Sequence, residues 1–397
     1  MTTEDLTPVI ISGARTPFTK INGQLASLTG PQLGAHAIKA ALASGGVPAD
    51  AVEAVIMGQV IQAGAGQGPA RQASIGAGIS YDVPTVTINK LCLSGLTAVI
   101  DAARLIRTGE ARVVVAGGQE SMTNAPHLLL KSRSAHPYGN QVLEDSLNYD
   151  GLVDPFEKKI MGEATDDGNE LRGIRRAEQD AFSAASHQRA ASSRTAGLFT
   201  DQIAPISVPQ RRGEPVVVSE DDGIRPDTTV DTLGKLKPAF RPQGTITAGS
   251  ASQLTDGAAA LVIASKGWAL ENGYEWIAEI GAAGQVAGPD GSLHSQPANA
   301  IKAALAREGA EVADLDVIEI NEAFASVVLQ SAVDLGIDPA SANVDGGAIA
   351  LGHPVGASGA RLALQLAYAL KRRGGGTGVA ALCGGGGQGE ALILHVA

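Results

Sequence analysis

The sequence TINKLCLSGL, residues 87–96, joins a strand pattern to a helix pattern. A short β-type run, 83–88, leads into it, and apolar residues recur at helical spacing from Leu93 to Ala103. Cys92 is therefore predicted at a helix N-terminus, whose free N–H groups and dipole favour a thiolate. Even a modest lowering of the thiol pKa would leave Cys92 partly ionised at neutral pH. On this stretch alone, core packing is the more common role of such a cysteine.

The overall charge narrows the classes of partner. The chain of 397 residues carries a net charge of −11 and has no long basic run. This balance argues against nucleic acid and anionic membranes as the main partners. No apolar run approaches the ~18 residues that a membrane-spanning helix needs. We therefore expect no membrane partner.

The two cysteines, Cys92 and Cys383, lie far apart in the sequence and form neither a metal-binding spacing nor a disulfide framework. Reduced thiols fit a reducing compartment. Residues 1–8 carry Glu4 and Asp5 and lack an apolar core, so we expect no signal peptide. These features predict a cytoplasmic protein without a bound metal.

Strand and helix patterns alternate through residues 9–118. This alternation predicts a mostly parallel sheet covered by helices on both faces. The predicted strands are 9–12, 52–60, 83–88 and 112–116, and the predicted helices are 31–43, 69–77 and one from Cys92 to about Arg107.

The alternation is lost from Ser121 to Gly249, where charged residues, Pro and Gly are more frequent. One clear helix is predicted there, over 178–193. The segment is either a solvated surface insertion, since acidic and basic residues are both plentiful, or a lid that brings cations such as Arg225 to an anionic ligand. The sequence leaves these two alternatives open.

The alternation then resumes and echoes the first part of the chain. Residues 358–385 repeat the order of helix, Gly and apolar strand found in 92–118, and Cys383 falls in register with Gly117. Two similar units facing each other would bring their strand–helix switch regions together, so we expect Cys92 and Cys383 to converge. The predicted strands are 258–264, 277–287, 315–320, 379–382 and 391–396, and the predicted helices are 298–307, 322–335 and 358–373.

Three further motifs accompany the segment around Cys92. They are NEAFA at 321–325, GGAIALGHPVGASGAR at 346–361 and CGGGGQGEA at 383–391. The last motif fits the G-x-G-x-x-G pattern of dinucleotide sites, but a strand pattern rather than a helix follows it, which disfavours that interpretation. The chain contains neither a P-loop motif nor a G-x-S-x-G nucleophile elbow.

The residue types in these motifs suit thioester chemistry. His353 lies in a glycine-dense loop and can accept the proton of a neighbouring thiol. Asn321 can anchor a water or donate to an oxyanion, although capping of the following helix is an ordinary alternative. The glycine run after Cys383 leaves backbone N–H groups accessible, so that they can bind a carbonyl oxygen in an oxyanion hole. The alternative is that the run only forms a tight turn between strands. Two cysteines, a histidine and glycine-rich loops together indicate acyl-thioester chemistry.

Through these motifs the chain resembles the thiolase family, over essentially its whole length from GARTP at 13–17 to CGG at 383–385. It looks most like the bacterial acetyl-CoA acetyltransferases of that family. The resemblance implies an α/β fold with five layers, αβαβα, built from two pseudo-symmetric halves and an inserted loop domain. The implied boundaries are 1–121 with 250–272 for the N-terminal half, 122–249 for the CoA-binding loop domain and 273–397 for the C-terminal half.

The resemblance also implies a role for each site residue. Cys92 would be the nucleophile that becomes acetylated, and His353 would activate it and form one oxyanion hole with a water held by Asn321. Cys383 would be the acid/base that removes the α-proton of a second acetyl-CoA. Backbone N–H groups of Cys92 and Gly385 would form the other oxyanion hole. The positions that match the lining of the substrate and CoA site are Leu152, Met161, Arg225, Ala251, Ser252, Ala323 and Phe324.

The activity implied is acetyl-CoA C-acetyltransferase, the condensation of two acetyl-CoA to acetoacetyl-CoA and CoA, with thiolysis as the reverse. Coenzyme A would be a substrate, no cofactor would be bound permanently, and the assembly would be a homotetramer, a dimer of dimers. One alternative is a degradative 3-ketoacyl-CoA thiolase for longer chains, as in fatty-acid β-oxidation, and another is a non-catalytic acyl-CoA-binding protein. A condensing synthase fits less well, because such enzymes usually pair one Cys with two His.

Two positions depart from the pattern of the biosynthetic subgroup. Ile160 stands where a His commonly precedes the Met-Gly of the loop domain. A Met that is usual in the short-chain pocket is absent near residues 291–294. Both departures leave the acyl-chain preference open and leave the catalytic set intact.

Overall fold

The computed structural model describes residues 5–134 and 138–397, so residues 1–4 of the N-terminal segment discussed above lie outside it. The strands are β1 (Pro8–Arg15), β2 (Thr19–Lys20), β3 (Ala54–Gly58), β4 (Thr85–Ile88), β5 (Val113–Glu120), β6 (His127–Leu128), β7 (Glu144–Asp145), β8 (Ile206–Val208), β9 (Val216–Val218), β10 (Thr255–Ser265), β11 (Ala278–Ala287), β12 (Val317–Ile320), β13 (Gly376–Gly384) and β14 (Gln388–Val396). The helices are α1 (Gly30–Gly45), α2 (Pro69–Gly76), α3 (Ser94–Arg107), α4 (Met161–Arg172), α5 (Arg176–Thr195), α6 (Val230–Leu233), α7 (Lys266–Glu271), α8 (Gln296–Glu308), α9 (Ala325–Leu335), α10 (Ala348–Leu351) and α11 (Ser358–Arg373).

The main sheet consists of two half-sheets that meet at one short seam. Its strand order is β12-β13-β14-β11-β1-β10-β5-β3-β4, with β2 added beside β10. At the seam, β1 and β11 pair only through Val9 with Glu279 and Ile10 with Ala278. The first half-sheet is therefore β1, β10, β5, β3 and β4, and the second is β11, β14, β13 and β12.

The prediction of a mostly parallel sheet was wrong. Only the pairs β3–β4, β3–β5 and β12–β13 are parallel among the described strands, and the other neighbours in the main sheet run antiparallel. The reason is that β10 returns after the long insertion and lies between β1 and β5, antiparallel to both. Local alternation of strands and helices does not reveal such a distant neighbour.

Alternate residues along the buried strands enter different hydrophobic clusters. In β10, Leu261 faces a cluster shared with α3 and α11, whereas Val262 faces one shared with α1 and α2. In β13, Leu382 faces the same central cluster, whereas Ala381 faces a third cluster with α8 and α9. Strands buried on both faces show this pattern, because successive side chains point to opposite sides. The layers are thus helices, sheet, α3 with α11, sheet and helices, which confirms the five-layered fold.

The residues between β5 and β10 form smaller elements. They include the hairpins β6–β7 and β8–β9 and the helices α4, α5 and α6. The helix predicted over 178–193 is confirmed as α5, which packs against α9 and α10 of the C-terminal part. The three-part division of the chain by residue number stays a prediction.

Glycines let the loops of the two halves meet beside the central helices. The carbonyl oxygen of Gly356, just before α11, lies 2.6, 2.9 and 1.9 Å from where a Cβ would stand on Gly58, Gly95 and Gly118. Real Cβ atoms do not approach an oxygen this closely, so larger residues at these three positions would push the loops apart. Helices α3 and α11 pack against each other here, and the loops before them carry Cys92 and His353.

Candidate active site

Cys92 lies on a strained turn ahead of α3. The helix begins at Ser94, so Cys92 precedes its first turn by two residues. Leu91 has a positive φ of 53°, a conformation that costs a non-glycine residue about 1–2 kcal/mol. Its N–H donates to Asn89 Oδ1 at 3.1 Å, and its carbonyl accepts from Ser94 Oγ at 2.6 Å. These bonds hold the turn in the conformation that presents the thiol.

The expected partial ionisation of Cys92 is not what the structure supports. Although part of the side chain stays accessible, burial raises the pKa of the Cys92 thiol to about 11. Backbone N–H groups of Cys92 itself and of Gly385 act in the opposite direction, and the nearby Glu120 carboxyl adds slightly to the rise. Desolvation outweighs these hydrogen bonds. Cys92 is a neutral thiol at physiological pH.

His353 is buried in the loop between α10 and α11 and is held by neighbours on two sides. Its backbone N–H donates to Thr255 Oγ1 at 3.0 Å, and its Nδ1 lies 2.6 Å from Ser358 Oγ. The Ser358 hydroxyl donates to the carbonyl of Pro354 at 3.0 Å, and with that bond made Nδ1 is the donor towards Ser358. Nε2 then carries the lone pair. Burial, with a smaller effect of Arg361, lowers the pKa of His353 to about 3, which keeps the imidazole neutral.

Asn321 lies at the end of β12 and faces that lone pair. Its backbone N–H donates to the carbonyl of Ala381 at 2.9 Å, and its Nδ2 lies 3.4 Å from His353 Nε2. Its Oδ1 is buried and makes no hydrogen bond to any described residue. The helix-capping alternative was wrong, because α9 begins at Ala325 with Phe324 as its N-cap. The amide is therefore available to orient a ligand or a water beside the histidine.

Cys383 is buried near the end of β13, in an apolar cluster with Leu293 and Phe324. The glycine run after it forms the turn to the antiparallel strand β14, with Gly384 paired to Gln388. This excludes the helix that a dinucleotide site requires. Burial raises the pKa of the Cys383 thiol, and the charge of a nearby Cys92 thiolate raises it further. The turn after Cys383 contacts the turn that carries Cys92, since a Cβ on Gly385 would stand 2.7 Å from Leu91 Cδ1.

The residues that matched the substrate and CoA site line one cavity of about 460 Å³. His353 and Val355 lie at one wall of this cavity, and Phe240 packs edge-to-face on Phe324 at 6.1 Å in another wall. Arg225 is exposed, as a group that meets solvent-borne phosphates should be. The predicted residues in the lining are Leu152, Met161, Arg225, Ala251, Ser252, Ala323 and Phe324.

Both departures from the biosynthetic pattern lie at this site. Ile160 lines the cavity next to Met161. Leu293 packs in the cluster that contains Cys383, where the expected methionine is missing. The wall near the reacting groups is consequently apolar at both positions.

Two residues that support the site were not singled out from the sequence. Ser358 orients His353, and it lies inside the quoted motif, five residues after the histidine. Glu120 is fully buried and accepts backbone N–H groups of Val60, Ile61 and Gly356 at 2.9, 3.1 and 3.0 Å. Burial raises its pKa to about 8. An acidic residue ending an apolar strand was the available signal for Glu120.

Within residues 5–134 and 138–397, no group of three or more His, Cys, Asp or Glu side chains is arranged to hold a metal ion. The same part of the chain has no helix that combines the length and apolarity needed to cross a bilayer.

Comparison with known proteins agrees with this geometry. The family model "Thiolase, N-terminal domain" matches residues 8–267, and "Thiolase, C-terminal domain" matches residues 274–396. A "Probable acetyl-CoA acetyltransferase" of Mycolicibacterium smegmatis is 58% identical over 98% of this chain and 100% of its own length. A "Probable acetyl-CoA acetyltransferase" of Mycobacterium tuberculosis is 58% identical over 98% of this chain and 99% of its own length. An "Acetyl-CoA acetyltransferase" of Cupriavidus necator is 46% identical over 98% of both chains.

Proposed function

Since the chain belongs to the thiolase family, a family of acyltransferases, we propose that it is an acetyl-CoA C-acetyltransferase that makes acetoacetyl-CoA and CoA from two acetyl-CoA. One observation carries the proposal: Cys92 packs in a cluster with Val355, Cys383 packs in a cluster with Phe324, and both partners line the cavity that a neutral His353 also lines. The relatives named above support the choice of acetyl-CoA as the substrate.

In the first half-reaction, the Cys92 sulfur attacks the thioester carbon of acetyl-CoA. Because Cys92 is a neutral thiol at rest, its proton passes to His353 Nε2 as the new C–S bond forms. The tetrahedral intermediate expels the CoA sulfur, which takes the proton of Cys383 and leaves as CoA. Cys92 then carries the acetyl group as a thioester, and Cys383 is a thiolate.

In the second half-reaction, the Cys383 thiolate removes an α-proton from another acetyl-CoA. A thiol whose pKa is raised by burial gives a strong base once ionised, as this weakly acidic proton requires. The enolate oxygen is stabilised by protonated His353 and by a water on Asn321. The enolate carbon attacks the acetyl carbon, whose oxygen accepts from the N–H groups of Cys92 and Gly385. Collapse releases the Cys92 sulfur, which recovers its proton from His353.

The cavity suits the carrier part of the substrate. Its apolar walls at Leu152, Met161 and Phe240 match a long flexible arm with few charges. Ser252 offers a hydroxyl to the amides of such an arm, and the exposed guanidinium of Arg225 suits a phosphate. CoA is a substrate here, so no permanently bound cofactor is part of the proposal.

A longer-chain 3-ketoacyl-CoA thiolase remains the second candidate. Ile160 favours it, because it places an apolar side chain in the cavity wall where the biosynthetic subgroup commonly has a histidine. Thiolysis rates on acetoacetyl-CoA and on a medium-chain 3-ketoacyl-CoA separate the two, and a preference for the longer substrate would overturn our choice. A non-catalytic acyl-CoA-binding protein would not need Cys92, Cys383 and His353 in one place.

The central experiment separates the two cysteines. Cys92→Ala should abolish acetylation of the protein by acetyl-CoA, measured by intact mass. Cys383→Ala should still become acetylated at Cys92, more slowly because the leaving CoA sulfur loses its proton donor, yet fail to form acetoacetyl-CoA. Normal condensation by Cys383→Ala would show that the acid/base assignment is wrong. Acetylation of Cys92→Ala at the wild-type level would refute the proposed nucleophile.

The cellular location and the oligomeric state of the enzyme are also proposals. Both site cysteines are free thiols, and the mechanism needs both reduced, which a cytoplasmic location provides. The homotetramer, a dimer of dimers, stays a prediction that sedimentation or light scattering would test.

A further inference from the structure

A buried carboxylate lies close to the site without a role in the mechanism above. Glu390 on β14 has no solvent exposure. Its Oε1 accepts from Lys90 Nζ at 2.5 Å and from Gln285 Nε2 at 2.5 Å, and its Oε2 accepts from Thr97 Oγ1 at 2.8 Å. Burial of a carboxylate costs several kcal/mol, about what a well-placed cation and hydrogen bonds offset. Lys90 supplies that cation.

Lys90 belongs to the strained turn that presents the nucleophile. It stands two residues before Cys92 and directly before Leu91, whose φ is positive. The backbone N–H of Lys90 donates to Ser94 Oγ at 2.8 Å. A strained turn persists only where surrounding groups determine its conformation. The ion pair with Glu390 is a charged, hydrogen-bonded contact between this turn and the other half of the chain.

Glu390 belongs to the hairpin that carries the second cysteine. It pairs with Leu382 across β13 and β14, and the neighbouring pair is Cys383 with Gly389. The turn of this hairpin contains Gly385, where a Cβ would stand 2.7 Å from Leu91 Cδ1. The nucleophile turn and the hairpin turn therefore touch at Leu91 and Gly385. The ion pair bridges the same two segments a short distance away.

We propose that Glu390 is a positioning residue, which through Lys90 holds the Cys92 turn against the β13–β14 hairpin. This contact sets the separation between the N–H groups of Cys92 and Gly385, which receive the oxygen of the attacked thioester. The inference rests on the proposed function and adds a residue pair to it. Glu390 acts through Lys90 and touches no reacting atom.

The test is the rate at which acetyl-CoA acetylates Cys92 in a single turnover. Glu390→Gln keeps the shape and removes the charge, so Lys90 loses its partner. Misplacement of a reacting group by ~1 Å can cost about 100-fold, and we expect acetylation to slow by about 10- to 100-fold. The acetyl-CoA concentration giving half the maximal rate should change little, because the cavity that binds CoA is untouched.

A matched ion pair elsewhere provides the control. Arg176 and Asp180 in α5 have side-chain exposures of 25% and 3%, close to the 29% and 0% of Lys90 and Glu390. Asp180→Asn removes a similarly buried charge within α5, whose partner Arg176 bonds to the carbonyls of Leu233 and Leu236 and not to the nucleophile turn. Cys92 in this variant should be acetylated at the wild-type rate. That result would distinguish a positioning role of Glu390 from the general effect of losing a buried ion pair.

Lys90→Met removes the same ion pair by changing its more exposed member. This variant is used if Glu390→Gln does not fold. The double variant should acetylate no more slowly than the slower single variant, because both remove one interaction. If a folded Glu390→Gln or Lys90→Met variant is acetylated at Cys92 at the wild-type rate, the positioning inference is overturned and the proposed function is unaffected. Failure of the wild-type chain to acetylate contradicts the proposed function, and with it this inference.

Discussion

The Nδ1 atom of His353 lies 2.6 Å from the hydroxyl oxygen of Ser358, and that hydroxyl donates to the carbonyl of Pro354. The serine has one proton, and the carbonyl can only accept. The arrangement therefore places the proton of the imidazole on Nδ1 and the lone pair on Nε2, 3.4 Å from Asn321 Nδ2. A serine in the first turn of a helix thus decides whether the histidine can act as a base.

Ser358→Ala should lower kcat by about 10- to 100-fold, because the imidazole loses the acceptor that fixes its tautomer. KM for acetyl-CoA should change much less, and Ser358→Thr should recover part of the rate. Steady-state kinetics measure this split. Ser183→Ala is the control, since Ser183 is equally buried and bonds only to Gln179 O within α5. Equal losses in the two variants would contradict a role for Ser358 in orientation.

The thiol of Cys92 should react as an unactivated group in the free enzyme. Its pKa of about 11 predicts that alkylation by iodoacetamide accelerates about tenfold per pH unit from neutral pH upwards, because the thiolate is the nucleophile. No plateau should appear below about pH 9. The measurement is made in Cys383→Ser, so that labelling reports Cys92. A plateau near neutral pH would show that the thiol is ionised at rest.

Buried neutral histidines should make stability depend on pH. Burial lowers the pKa of His294 to about 4, below the ~6.5 of an unfolded chain. Its contribution is present above pH 6.5 and is lost as pH falls towards 4, since the unfolded state then binds the extra proton. At pH 5 the loss is about 2 kcal/mol. His187 and His353 act in the same sense, whereas Glu120 and Glu319, with raised pKa, act in the opposite one.

His294→Gln isolates one histidine from these opposing groups. The free energy of unfolding lost through this substitution should be about 2 kcal/mol smaller at pH 5 than at pH 7. Urea unfolding at the two pH values measures the difference. An equal loss at both would mean that His294 titrates normally in the folded protein.

Acyl-chain preference should respond to the apolar wall beside Cys383. Leu293→Ala removes side-chain volume there, and we expect the ratio of medium-chain to acetoacetyl-CoA thiolysis to rise by about tenfold, since one or two methylenes are worth 1–3 kcal/mol. Leu305→Ala, an equally buried leucine in α8 beneath the outer face of the second half-sheet, should lower stability without altering the ratio. An unchanged ratio in Leu293→Ala would place the acyl chain elsewhere.

Features that depend on local sequence were predictable. The periodic segment after Cys92 is a helix, and the internal repeat implied that the segments carrying Cys92 and Cys383 lie together, which agrees with the contact between Leu91 and Gly385. Features that depend on contacts between residues distant in the sequence were not predictable. The ionisation of Cys92 depends on how deeply the surrounding segments bury it, and desolvation outweighed the opposing hydrogen bonds. The tie between Lys90 and Glu390 joins residues 300 positions apart, which no spacing rule detects.

The position of β10 between β1 and β5 has a consequence for synthesis on the ribosome. Both neighbours, β1 and β5, emerge before residue 121, and β10 emerges only after residues 121–254 have been made. Until then the first half-sheet has a gap between β1 and β5, and the backbone edges of these two strands lack their hydrogen-bonding partner. The nascent chain must therefore keep these strands from pairing wrongly during the translation of the whole insertion. Slowing translation within 121–254 should lower the yield of folded enzyme more than slowing it after residue 265.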